Sequence, residues 1–168
     1  MKKSGTEITP WILEWKGPFG YRANELVKYQ LDPAGPEDTA EVSDKKGLYC
    51  IVGDHPTYGD RSLLYIGRTK TTLKQRLYDH RDWLNEEWRA EIYFAEIIDD
   101  TLREAAEKLL IYAHSPAYNS QHIDQIDLKE PLSIWNTGRY WRLLPEVCSE
   151  HPWYKKGKRG VDRSTKYR

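Results

Sequence analysis

The sequence predicts an α/β (α+β) domain built on a small, mainly antiparallel three-stranded sheet flanked by helices. Three observations carry that expectation. The hydrophobic patterning runs strand, strand, helix, strand, helix through the middle of the chain. The link between the first two strands is short, as an antiparallel pair requires. The length, 168 residues, suits one domain.

The elements follow in order. Residues 1–46 read as an N-terminal extension and loop packing on the core. Its first thirty residues hold Trp11, Trp15, Phe19, Tyr21 and Tyr29 but are interrupted by Gly17-Pro18 and Gly20, so their secondary structure is ambiguous. Residues 31–46 hold two prolines, a glycine and many acids without an apolar period, the pattern of a connecting loop. Residues 47–53 (GLYCIVG) and 62–68 (SLLYIGR) are short apolar runs separated by Pro and Gly punctuation, two strands of a hairpin. From Thr72 the spacing turns helical through Leu73, Leu77 and Leu84, and Thr72 with Gln75 fits a capping box. Residues 91–97 (EIYFAEI) form the third strand. Thr101 with Glu104 suggests a second capping box, opening a helix with an apolar face of Leu102, Ala106, Leu109, Leu110 and Ala113, closed by Pro116. Residues 120–152, with a turn signal at Asn136–Gly138, complete the same domain, and residues 153–168 form a basic tail.

Composition narrows the function classes. The chain carries 7 Trp and 12 Tyr, more aromatic surface than a disordered chain would bury. No apolar run approaches the roughly 20 residues of a membrane span, and no signal peptide is evident at the start. Cys50 and Cys148 lie in no CxxC pair, which points to a reduced, cytoplasmic protein, nucleoid-associated if bacterial. The five histidines show no metal-ligand spacing, and no Gly-rich phosphate loop supports ATP or GTP hydrolysis.

The 26 Lys+Arg and 26 Asp+Glu cancel, but only in sum. Residues 153–168 hold seven bases against one acid and residues 61–81 six against one, while residues 82–119 hold nine acids against three bases. Nucleic-acid affinity follows local cation clusters, so neutrality excludes little.

Particular polar residues sit at the joints of the central pattern: Gly47 and Tyr49 on the first strand, Tyr65 and Gly67 on the second, Arg76 and His80 four apart on the first helix, Glu107 on the second helix, and Asn119 after it. Taken singly, each has a plain structural reading. The tyrosines suit core aromatics, Glu107 could pair with Arg103, and Arg76 and His80 could lie on a solvated helix face. Taken together, in this order over residues 47–119, they resemble the GIY-YIG nuclease superfamily. Gly47-Leu48-Tyr49 stands for the first motif, with Leu in place of Ile, and Tyr65-Ile66-Gly67 for the second, followed by the small polar Thr69. The fifteen residues between the two tyrosines exceed the family's usual gap, which suggests a longer hairpin loop free for substrate contact.

The resemblance implies a GIY-YIG-like fold and a divalent-metal-dependent DNA endonuclease, stand-alone and restriction-like or of a mobile-element or phage type, leaving a 5′-phosphate and a 3′-hydroxyl. It makes Tyr49, Tyr65, Arg76, His80 and Glu107 catalytic, Gly47, Gly67 and Asn119 supporting, and Glu107 the ligand of Mg²⁺ or Mn²⁺. The chemistry suits such a reaction: a cation and an arginine fork offset charge on the phosphate. Tyr49 is the base by resemblance, but a free phenol has a pKa of about 10, so Arg76, the metal or Tyr65 must favour its phenolate. Tyr49, Tyr65 and His80 all stay open as the group that takes the proton. Asn119 reads as tying the loop after its helix to the first strand.

The expected partner is DNA, in double-stranded form, with no membrane and a monomer or homodimer. Arg68, Lys70, Lys74, Arg139, Arg142 and the tail residues Lys155, Lys156, Lys158 and Arg159 are the candidate phosphate contacts. The competing readings are a non-catalytic nucleic-acid-binding module on the same fold and a DNA-repair nuclease subunit.

Overall fold

The computed structural model describes residues 8–22, 25–28, 39–84 and 90–150. Its elements in chain order are β1 (Trp11–Arg22), β2 (Glu25–Lys28), α1 (Thr39–Ser43), β3 (Gly47–His55), β4 (Gly59–Arg68), α2 (Leu73–Asp79), α3 (Arg81–Leu84), β5 (Glu91–Glu96), α4 (Asp100–His114), β6 (Ser133–Gly138) and β7 (Glu146–Cys148).

The small three-stranded sheet is overturned. The described strands form one seven-stranded mixed sheet in the order β4-β3-β5-β1-β6-β7, with β2 paired to β1. The three expected strands are its β4-β3-β5 end, joined antiparallel. The sheet grows beyond them because the N-terminal segment enters its interior: β1 pairs antiparallel with β5 and parallel with β6. The supposed turn at Asn136–Gly138 is the end of β6. Its buried Asn136 side chain accepts from Trp15 Nε1 (2.8 Å) and donates to the Leu144 carbonyl (2.7 Å), fastening β6 to β1 and to the segment beyond.

A single bulge explains how Gly17-Pro18 can lie inside a strand. The β1–β5 register gains one residue on β1 between Lys16 and Phe19, and Pro is tolerated where the ladder is interrupted. The extra residue also switches faces. Leu13 and Trp15 join the core on one side of the sheet, whereas Phe19 joins the core on the other.

Those two cores fix where each helix sits. On one face, α4 lays Ala106, Leu109 and Leu110 over Leu48, Cys50, Val52 and Ile66. On the other, α2 and α3 lay Leu73, Leu77 and Leu84 over Tyr49, Ile51 and Leu64. β3 is therefore buried on both sides, which is why its sequence is an unbroken apolar run.

Smaller corrections concern helix ends. Thr72 caps α2 as expected, its Oγ1 accepting from Gln75 N (3.2 Å), but α2 stops at His80 and the chain restarts as α3. The cap of α4 is Asp99, accepting from Leu102 N (2.7 Å), rather than Thr101. Part of the connecting loop, residues 39–43, is the short helix α1. Among the described residues no helix is long and apolar enough to cross a membrane.

Candidate active site

The site is assembled on the paired strands β3 and β4. Tyr49 lies opposite Gly67 in their register, and its ring is fully buried. A Cβ at Gly67 would stand 2.5 Å from the Tyr49 hydroxyl and 2.7 Å from the Tyr65 ring, so only glycine lets the two phenols share this place. Gly47 is required for another reason, since a Cβ there would overlap the Ala95 carbonyl on β5. Gly47 and Thr69 then clasp each other: Gly47 N donates to Thr69 Oγ1, and Thr69 N to the Gly47 carbonyl, both at 2.9 Å. That clasp holds the ends of the two motif strands together.

Two groups from the helical side converge on the Tyr49 oxygen. Arg76, in α2, donates to it through Nε at 3.1 Å. His80, at the C-cap of α2, meets it through Nε2 at 2.7 Å. The break after α2 does not part them, because residues four apart on the last turn still share a face. The Tyr65 ring lies 6.0 Å from Tyr49 and packs edge-on to His80 at 5.0 Å between centroids.

The electrostatics pull in two directions. Burial pushes the Tyr49 phenol well above its ordinary pKa, and Arg76 acts against it. Tyr65 raises Tyr49 further, so it does not supply the help toward a phenolate that the sequence left open. His80 is lowered to about 4 by burial and then by Arg76, with Asp79 opposing, which leaves a neutral imidazole at neutral pH.

Glu107 reaches the same neighbourhood from α4, on the opposite face. Its Oε1 accepts from Arg68 N (3.0 Å) and its Oε2 pairs with Arg68 Nε (2.8 Å), one residue along β4 from Gly67. Burial raises its pKa, Arg68 lowers it, and the more distant Arg76 contributes in the same sense as Arg68. Glu107 also contributes to raising Tyr49, so the carboxylate and the phenol feel each other's charge. Arg103 is not its partner: that side chain is buried and bonded to the Ile97 carbonyl and to Asp100. Among the described residues no three His, Cys, Asp or Glu side chains group to hold an ion.

Asn119 binds the second motif strand rather than the first. Its amide accepts from Ile66 N and donates to the Ile66 carbonyl, each at 2.9 Å, on the outer edge of β4. Ala117 N and Tyr118 N donate to the Leu63 and Leu64 carbonyls beside it. Together these bonds cover an edge that would otherwise expose unpaired backbone.

The candidate cations are scattered. Lys70 and Lys74 are exposed near α2. Arg68 is committed to Glu107 and Glu104. Arg142 donates to the Arg61 carbonyl and rests against Trp141, at the far end of β4 and roughly 20 Å of strand from Gly67. Arg139 follows β6, with its N–H on the Trp15 carbonyl. Lys155, Lys156, Lys158 and Arg159 lie outside the described residues.

One aromatic neighbour escaped the sequence reading. Trp83 Nε1 donates to His80 Nδ1 at 3.1 Å, and its ring packs edge-on to His80 and to Tyr118. From Tyr118 the row of rings continues through His55 to Tyr58 at the β3–β4 hairpin. The signal for Trp83 was present, since positions 76, 80 and 83 follow helical spacing. Compared with family models, curated proteins and solved structures, the chain matches none of them.

Proposed function

We propose that the protein is a divalent-metal-dependent DNA endonuclease of the kind that the GIY-YIG resemblance implies. The observation that carries the reading is the convergence of Arg76 and His80 on the Tyr49 oxygen, beside Tyr65 and over a glycine that nothing larger could replace. A core tyrosine needs one partner for its hydroxyl. A phenol flanked by a guanidinium and an imidazole is suited to exchanging a proton with a bound reactant.

The roles divide as follows. Arg76 spends Nε on Tyr49 and holds Nη1 in a long 3.9 Å ion pair with Asp79, which the non-bridging oxygens of a phosphate would displace. Tyr49 holds and releases the proton that hydrolysis moves, and Tyr65 packs the opposite side of the reacting group. Glu107 suits a Mg²⁺ or Mn²⁺ that keeps most of its waters, because its two bonds to Arg68 leave lone pairs on both carboxylate oxygens. When bound, such an ion offsets charge on the phosphate and acidifies a water.

The same Arg68–Glu107 pair favours a second reading, in which the carboxylate is fully engaged and the domain binds nucleic acid without cutting it. Incubating supercoiled and branched DNA with the protein and Mg²⁺ or Mn²⁺ separates the two. Cleavage is expected, and Arg76→Ala and Glu107→Ala are each expected to lower it by about 100-fold or more. Cutting that persists in both variants overturns the site, and binding without cutting under every condition supports the second reading.

A further inference from the structure

Trp83 has no part in the roles above, yet its indole touches the one histidine in the cluster. We infer that Trp83 fixes the tautomer of His80, making His80 a hydrogen-bond donor to Tyr49 rather than the acceptor of its proton.

The atoms lead there in three steps. An indole N–H can only donate, so the nitrogen facing Trp83 Nε1, His80 Nδ1 at 3.1 Å, must present its lone pair. A neutral imidazole carries one proton, which then sits on Nε2, the atom 2.7 Å from the Tyr49 oxygen. The Tyr49 oxygen thus receives two donors, His80 Nε2–H and Arg76 Nε–H, and both of its lone pairs are filled. Its own proton can go to neither. The phenolate formed on its loss keeps both donors.

The charges facing the imidazole agree with a neutral ring. Arg76 lies on the same turn and opposes a second proton, Asp79 favours one weakly, and Tyr49, Tyr65 and Trp83 pack around the ring, with no carboxylate hydrogen-bonded to it among the described residues. Without the indole N–H, Nδ1 could take the proton. Nε2 would then accept from Tyr49 and hold its hydroxyl pointed inward. Trp83 is therefore a positioning residue, acting on Tyr49 through His80.

The test uses the full chain labelled with ¹⁵N and long-range proton–nitrogen correlation of its histidines at neutral pH, with His80→Gln assigning the His80 signals. The wild type is expected to show a pyridine-type Nδ1 and a pyrrole-type Nε2 for His80. Trp83→Phe keeps a ring in place but removes the donor, and a substantial shift toward the Nδ1–H form is expected. A wild-type ring protonated on Nδ1, or an unchanged tautomer in folded Trp83→Phe, overturns the inference. The wild-type spectrum alone suffices should that variant fail to fold. The kinetic consequence rests on the nuclease reading: Trp83→Phe should lower kcat about tenfold with KM for DNA unchanged. A correct tautomer in a protein that cuts no DNA upholds the role of Trp83 and removes the nuclease reading. A wrong tautomer in a protein whose cutting needs Tyr49 does the reverse.

Discussion

Two tyrosine–arginine clusters sit on opposite faces of the sheet, and they differ in what occupies the centre. Around Tyr93, the Glu91 carboxylate collects the donors: the Tyr93 hydroxyl at 3.0 Å and Arg61 Nη2 at 2.9 Å, both on Oε2. Around Tyr49, the phenol oxygen itself collects them, from Arg76 and His80. Burial raises both phenols. At Tyr93 Glu91 adds to that and outweighs the opposing Arg61, while at Tyr49 the foremost neighbour, Arg76, subtracts from it and Tyr65 and Glu107 add less. A tyrosine and an arginine thus belong to a closed structural group in one place and, on the proposed reading, to a phenol that exchanges its proton in the other. A carboxylate at the centre neutralises its arginine at 2.9 Å, whereas the carboxylate nearest Arg76, Asp79, stands off at 3.9 Å.

The contrast can be broken at several points. The largest effect is expected from Gly67→Ala, whose Cβ would push the Tyr49 hydroxyl out of place. Misplacement of about 1 Å costs on the order of 100-fold in rate, read as single-turnover cleavage against a near-native circular dichroism spectrum. Asn119→Ala should unfold at lower denaturant concentration by about 3 kcal/mol, since it strips both bonds from Ile66 at the sheet edge. Arg61→Ala should cost about 2 kcal/mol by leaving the Glu91 carboxylate with Tyr93 alone, and it should leave cleavage untouched. The mildest test is pH. His80 is held near 4 in the folded protein against about 6.5 when unfolded, so the unfolded chain binds the extra proton first. Its contribution to stability is full above 6.5 and is lost as pH falls toward 4, and His80→Gln should flatten the unfolding curve in that window.

The same contrast shows what the residues alone could and could not tell. The grouping of Tyr49, Tyr65, Arg76 and His80 was legible through the family resemblance, while spacing by itself placed only Arg76 and His80 on one helix face. What failed was non-local. β1 was hidden by Gly17-Pro18, which reads as a break in sequence but is a bulge in space, and β6 was hidden by an Asn–Gly turn signal whose asparagine is buried against Trp15. A parallel pairing of residues 11–15 with 134–138 has no local signature. Glu107 was named through the same resemblance and lies on α4, but its pairing with Arg68 depends on α4 crossing the far face of the sheet. Asn119 was expected on the first motif strand and binds the second, because the chain after α4 returns along the outer edge of β4.

The central claim is that Tyr49, and not merely a buried phenol, moves the proton. The direct measurement is single-turnover cleavage of the same DNA by Tyr49→Phe and Tyr93→Phe, each losing only a hydroxyl. Loss of an acid–base group costs about 10²–10⁴-fold, so Tyr49→Phe should fall by at least the lower figure while Tyr93→Phe cuts like the wild type. Equal cleavage by Tyr49→Phe and the wild type would contradict the account.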